Sequence, residues 1–123
     1  MAMKAFVAVL IAMVAASGAV AAAGGRAPSE VEITDYYADG AEAVFKGRVT
    51  SPASRCEGRG RKVKVVGYND GGPRRTFGTD KTNAAGKFSV REPIPFSEQF
   101  ARAKVAANDA CKGDRSEPVL TAG

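Results

Sequence analysis

AVFKGRVT (Ala43–Thr50), RKVKVVGY (Arg61–Tyr68) and KFSVR (Lys87–Arg91) are the runs whose reading decides the fold. In the first, Ala43, Phe45, Gly47 and Val49 fall on one side and Val44, Lys46, Arg48 and Thr50 on the other. In the second, Val63 and Val65 oppose Lys62, Lys64, Val66 and Tyr68; in the third, Phe88 and Val90 oppose Lys87, Ser89 and Arg91. A period of two is that of a half-buried strand. Turn residues stand between the runs. Asn69-Asp70-Gly71-Gly72-Pro73 makes one turn, with Pro73 calling for a loop longer than two residues. Asn83-Ala84-Ala85-Gly86 makes another, where Gly86 suits a positive φ. Short strands recurring about every ten residues predict an all-β chain, an antiparallel β-sandwich of about seven strands.

Working outward, Glu30–Tyr37 also alternates, with Val31 and Ile33 inward, Tyr36 outward and Tyr37 inward. Arg74–Thr79 is a short strand centred on Phe77, and Val119-Leu120 forms an edge strand. Phe96–Ala107 admits two readings. Phe96, Phe100, Ala103 and Ala107 lie at helical spacing with Ser97 as a cap. As a strand, Ala101, Ala103 and Val105 point inward and Arg102 and Lys104 outward. The strand is preferred, because its neighbours are strands and Cys111 must return to Cys56.

The N-terminus carries an export signal. Lys4 precedes the apolar run Ala5–Ala16, and A-x-A sites end at Ala21 and Ala23. Ala5–Ala23 is too short and too rich in alanine and glycine for a spanning helix, which needs about 20 strongly apolar residues. The expected organisation is a removed leader over residues 1–23, a flexible start over 24–29 and one domain over 30–121. The expected location is outside the cell or in its envelope, with no transmembrane anchor after cleavage. In an exported chain the two cysteines, Cys56 and Cys111, read as one disulfide. Closing so long a loop contributes about 4 kcal/mol in the chain-entropy model.

The runs FKGRVTS, GRKVKVVGY, GTDKTNAAGKFSV and ARAKV, with the two cysteines between them, resemble the carboxypeptidase regulatory-like domains. The resemblance spans roughly Ala43–Asp114 and is sharpest at Thr79–Phe88, similar to that family's T-D-x-x-G-x-F/Y hairpin with a longer turn. It implies a transthyretin-like (prealbumin-like) Greek key and no catalysis, since such domains serve as accessory modules.

The residues point the same way. There is no histidine, and no nucleophile, zinc or phosphate-loop motif. Asp35 and Asp39 are the carboxylates a secreted hydrolase would use, but a small sandwich offers little cleft. Asp70, Asp80 and Asn83 lack calcium-loop spacing; Asp80 is expected to hydrogen-bond its hairpin backbone. No catalytic residue, metal or cofactor is assigned. Charge is the remaining lead. The formal net charge is +5, with Glu30, Glu32, Asp35, Asp39 and Glu42 clustered before a strongly basic stretch. Lys46 and Arg48 face out from one strand and Lys62 and Lys64 from the next, with Arg55, Arg59 and Arg61 on the loop between. Were the two strands neighbours, the four cations would form a face for an anionic envelope or extracellular polymer. The alternative is a solvated face compensated by Glu30 and Glu32 across a strand pair. No motif for specific nucleic-acid reading is present. The expected role is therefore a secreted, non-enzymatic structural or binding module. An electrostatic binder through the basic face is the second reading, and a hydrolase or inhibitor the third.

Overall fold

The computed structural model describes residues 25–121; the expected leader lies outside them. The strands are β1 (Glu30–Asp39), β2 (Glu42–Thr50), β3 (Lys62–Tyr68), β4 (Arg75–Lys81), β5 (Lys87–Pro93), β6 (Phe100–Val105), β7 (Asp114–Arg115) and β8 (Val119–Leu120). They form two antiparallel sheets. The smaller has the order β1-β2-β5; the larger runs β4-β3-β6-β7, with β8 also pairing with β6. The ambiguous segment is a strand, and Ala101, Ala103 and Val105 are its buried side. No helix among the described residues is long and apolar enough to cross a membrane.

The inner faces meet in one core. Val31, Phe45, Val49, Phe88 and Val90 from the smaller sheet pack with Val63, Val65, Phe77, Ala101, Ala103 and Val105 from the larger. Phe77 is central. Its ring lies 5.6 Å from that of Phe45 and 4.9 Å from that of Phe96, and it covers Gly67, where a Cβ would collide with it. Burying an aromatic or branched side chain contributes roughly 1.5–3 kcal/mol each, so this cluster is the main source of stability.

Two bulges set which side chains reach the core. In β4, Phe77 is the extra residue between the pairs Val65↔Gly78 and Val66↔Thr76. In β1, Thr34 is skipped between Ile33↔Gly47 and Asp35↔Lys46. One extra residue reverses the facing of everything after it. Tyr36 therefore turns inward to stack on Phe45 at 4.8 Å, while Tyr37 is 43% exposed. This reverses the expectation from simple alternation, which placed Tyr36 outside and Tyr37 inside.

Side chains join the two sheets along their edges. Asp80 of β4 accepts the Ser89 N–H of β5 at 2.8 Å, and Asp114 of β7 accepts the Val31 N–H of β1 at 3.0 Å. Arg75 of β4 holds Glu92 of β5 at 2.8 Å and Glu98, just before β6, through two hydrogen bonds of 3.0 Å. The hydrogen bonds from Arg75 hold the Glu98 carboxyl below its ordinary range. Edge groups occupied in this way are not free to pair with another chain.

Cys56 and Cys111 are bonded, with Cα atoms 5.7 Å apart. Around them lies a second, small cluster that includes Ala27. Residues 27–29 depart from the flexible start expected over 24–29. Ala27 is 3% exposed, donates to Ala110 O at 2.9 Å and accepts from Lys112 N at 2.8 Å. Ala27 thereby makes an isolated parallel bridge to Cys111 beside the disulfide.

Candidate functional site

The four cations singled out in the sequence do not share a sheet. β2 carries Lys46 and Arg48 between β1 and β5; β3 carries Lys62 and Lys64 between β4 and β6. The condition for a joint face, adjacency of β2 and β3, is therefore not met. On the smaller sheet several outward charges have an opposite-charge partner. Arg48 stands opposite Glu32 and its Nε donates to Oε2 at 3.0 Å; Lys46 stands opposite Asp35. Arg91 of β5 reaches Asp39 and Glu42, both at 3.1 Å. Like charges meet here as well: Arg48 has Lys87 of β5 on its other side, and Asp39 stands opposite Glu42, with Arg91 bound to both carboxylates.

The outward face of the larger sheet is different. Lys64 stands opposite Thr79 on β4 and Lys104 on β6, and Lys104 stands opposite Arg115 on β7. Lys62 is opposite Lys81. Arg102 precedes Lys104 by two positions and so shares its face. Lys64, Lys104 and Arg115 thus form a row crossing three strands, each about 4.8 Å from the next. Among the described residues none of these cations is in an ion pair. The carboxylates bordering this open concavity, Asp80 and Asp114, accept backbone N–H groups instead.

Like charges directly opposite one another destabilise a strand pair. Lys104 shows the consequence. Partial burial lowers its pKa first, and the positive charges of Arg74, Lys64, Arg115 and Arg102 lower it further. Nothing in the packing demands this arrangement, since an outward position tolerates any polar side chain.

The arginines of this face are held in place. Arg102 Nε donates to Ser116 O at 3.0 Å, and its guanidinium carbon lies 5.9 Å from the Tyr68 ring centre. Arg74 lies 5.1 Å from the same ring, and Tyr68 stacks with Phe100 at 5.5 Å. Val66, facing outward between Thr76 and Arg102, is nonetheless buried.

Arg61 belongs to neither face. It is 3% exposed; Nη1 donates to Ser29 Oγ at 2.9 Å and Cys56 O at 2.6 Å, and Nη2 to Ala106 O at 3.2 Å and Lys112 O at 3.3 Å. It clasps the backbone on both sides of the disulfide, which removes it from the loop cations proposed between the two strands. Asp80 and Asn83 hold the β4–β5 turn: Asn83 Oδ1 accepts from Ala85 N at 2.9 Å and Lys87 N at 3.0 Å.

Lys81, Arg102, Lys104 and Arg115 were absent from the sequence-derived site. The alternation of FARAKV placed Arg102 and Lys104 outward, but local periodicity does not reveal that β6 lies beside β3. The chain matches no family model, no curated protein and no solved structure.

Proposed function

We propose that the chain is an exported, non-enzymatic binding module. In this reading its two sheets make a transthyretin-like, Greek-key β-sandwich, and the outward face of the larger sheet holds an anionic polymer of the cell exterior. The carrying observation is the row Lys64–Lys104–Arg115, three cations in register without a carboxylate partner among the described residues. A face kept electropositive at a cost to sheet stability draws polyanions toward it and orients them. Support for the sandwich comes from the two antiparallel sheets around one core. What supports the family reading is Thr79–Phe88, a β4–β5 turn that resembles the T-D-x-x-G-x-F/Y hairpin lengthened by three residues. A disulfide in so small a domain fits an oxidising compartment.

The test is co-sedimentation of the purified chain with the producing cell's envelope fractions across a salt titration. Raising salt from about 0.01 to about 0.15 M shortens the screening length from roughly 30 to roughly 8 Å. Retention is expected to fall steeply over that interval. Retention that ignores salt would replace the polymer with a specific protein or glycan partner, and no retention would leave a purely structural module.

A further inference from the structure

We infer that the cationic face contains a discrete subsite for a tetrahedral oxyanion, a phosphate monoester, formed by Arg102 and Lys104 of β6, Arg115 of β7 and Lys64 of β3. The inference rests on the polymer-binding reading and names the group that the polymer presents.

Arg102 is fixed at two points, through Nε to Ser116 O and through its guanidinium above Tyr68. Its two Nη groups have no acceptor among the described residues. The anchor is itself rigid. Ser116 is buried, its N–H donates to Ala103 O at 2.8 Å, and its Oγ accepts from Ala103 N at 2.9 Å. The short strand β7, which carries Arg115, is therefore pinned against β6 at the level of the row. A guanidinium held in one orientation has lost its freedom before any ligand arrives, so less entropy is spent on binding.

The charge and shape of the ligand follow from this set. A planar carboxylate offers two oxygens and one negative charge. A phosphate monoester carries about −1.5 to −2 charge and three acceptor oxygens. Those oxygens point in different directions, so one can meet the Arg102 fork while others face ammonium groups on neighbouring strands. Planar guanidinium groups match phosphate geometry with paired N–H donors. Lys64, Lys104 and Arg115 line one concavity and Arg102 lies on the same face close enough to act on Lys104, so their charge exceeds what one carboxylate can neutralise and the dianion is the better complement.

The test is NMR titration of the full exported chain with inorganic phosphate, and with acetate at matched ionic strength. Phosphate is expected to shift the amides of 102–104 and 114–116 saturably, and acetate to shift none of them so. Arg102→Lys keeps the charge but loses the fork, and phosphate should bind it about tenfold more weakly. Lys104→Gln should weaken binding as well, and covers the case in which the first variant is misfolded. In parallel, a polysaccharide bearing phosphomonoesters and a polyuronate of equal charge density are compared by the salt that releases each. The phosphorylated polymer should need more salt, and Arg102→Lys should erase the difference. Equal, non-saturating drifts with phosphate and acetate, or identical release of the two polymers, overturns the subsite while low-salt retention of both leaves the polymer reading intact. Saturable phosphate binding without retention of either polymer supports the subsite and overturns the polymer reading.

Discussion

The two outward faces rest on the same period-two alternation, yet they treat charge differently. On the smaller sheet Arg48 faces Glu32, and Arg91 reaches Asp39 and Glu42. On the larger sheet Lys64 faces Lys104, which faces Arg115. The smaller sheet also sets Arg48 beside Lys87 and Asp39 beside Glu42, but there each like pair has an opposite charge bound to it, whereas the row on the larger sheet has no carboxylate partner among the described residues. An outward position is open to any polar residue, so a fold under no other demand would not need three cations in one row. The difference teaches that net charge, or a count of bases along the chain, locates no site here. Which strands lie side by side decides it.

The largest expected effect separates a cation that belongs to the fold from those that belong to a face. Replacing Arg61 by Met leaves the carbonyls of Cys56, Ala106 and Lys112 short of a donor. The expected loss is about 2 kcal/mol, from one buried and two partly buried acceptors at about 1 kcal/mol each, less the relief of removing a desolvated guanidinium whose Nε has no partner. Urea denaturation measures it. Envelope retention, scored on the folded fraction, should be unchanged. A fall in retention without a fall in stability would return Arg61 to the binding surface.

Next comes a charge reversal applied once to each face. Lys104→Glu is expected to weaken retention on the anionic polymer at least tenfold at low salt, through lost attraction and new repulsion. Arg48→Glu makes the same formal change on the other sheet and should alter retention by less than about twofold. Equal losses from the two variants would show that overall charge, not the larger sheet's face, governs binding.

How far the sequence revealed this contrast depends on the range of the interaction concerned. Period-two alternation located β1 to β5, while β6 was separated from a helix by its neighbours and by the return of Cys111 to Cys56, with Arg102 and Lys104 facing outward as read. The Cys56–Cys111 bond and the edge strand Val119-Leu120 were legible for the same reason: each rests on local pattern or simple counting. What depended on pairing was not. Lys46 and Lys62 are close in sequence, but the loop carrying Cys56 takes the chain from one sheet to the other, and no local signal marks that crossing. The Tyr36/Tyr37 reversal failed at a single bulged residue, Thr34. Nor does a short run such as Gly25–Ser29 announce that Ala27 will be buried beside a disulfide.

The same two reversals should also differ in their effect on stability, a smaller effect but a sharper one. Lys104→Glu places a carboxylate between Lys64 and Arg115 and should stabilise by about 0.5 kcal/mol. Arg48→Glu loses the bridge to Glu32 but gains attraction to Lys87 on its other side, so its net effect should stay within about 0.3 kcal/mol, small because these groups are exposed. Chemical denaturation at low ionic strength resolves the sign. If Lys104→Glu destabilises, the cation row is not a source of strain, and its retention needs no functional reason.

The smallest effect is in the pH dependence, and its sign follows from the lowered pKa of Lys104. Partial burial, then Arg74, Lys64, Arg115 and Arg102, weaken its hold on the proton relative to the ordinary lysine value of 10.5. Asp114 and Asp80 border the same concavity but accept backbone N–H groups there. Below the folded-state pKa, Lys104 is charged in both states and the repulsion is fully present. As pH rises through that value toward 10.5, the native ammonium loses its proton before the unfolded one does. The unfolded state then binds more protons, so stability contributed by this group increases with pH. Lys104→Gln carries no such proton and should be the more stable of the two at neutral pH, with the gap narrowing as pH climbs toward the lysine range. Paired denaturation curves of the two proteins, at constant ionic strength, isolate the contribution of this one residue from the titration of the rest of the chain. A gap that stays constant across that range would mean that the variant gains from packing and not from removed charge, and the contrast between the two faces would then lose its electrostatic basis.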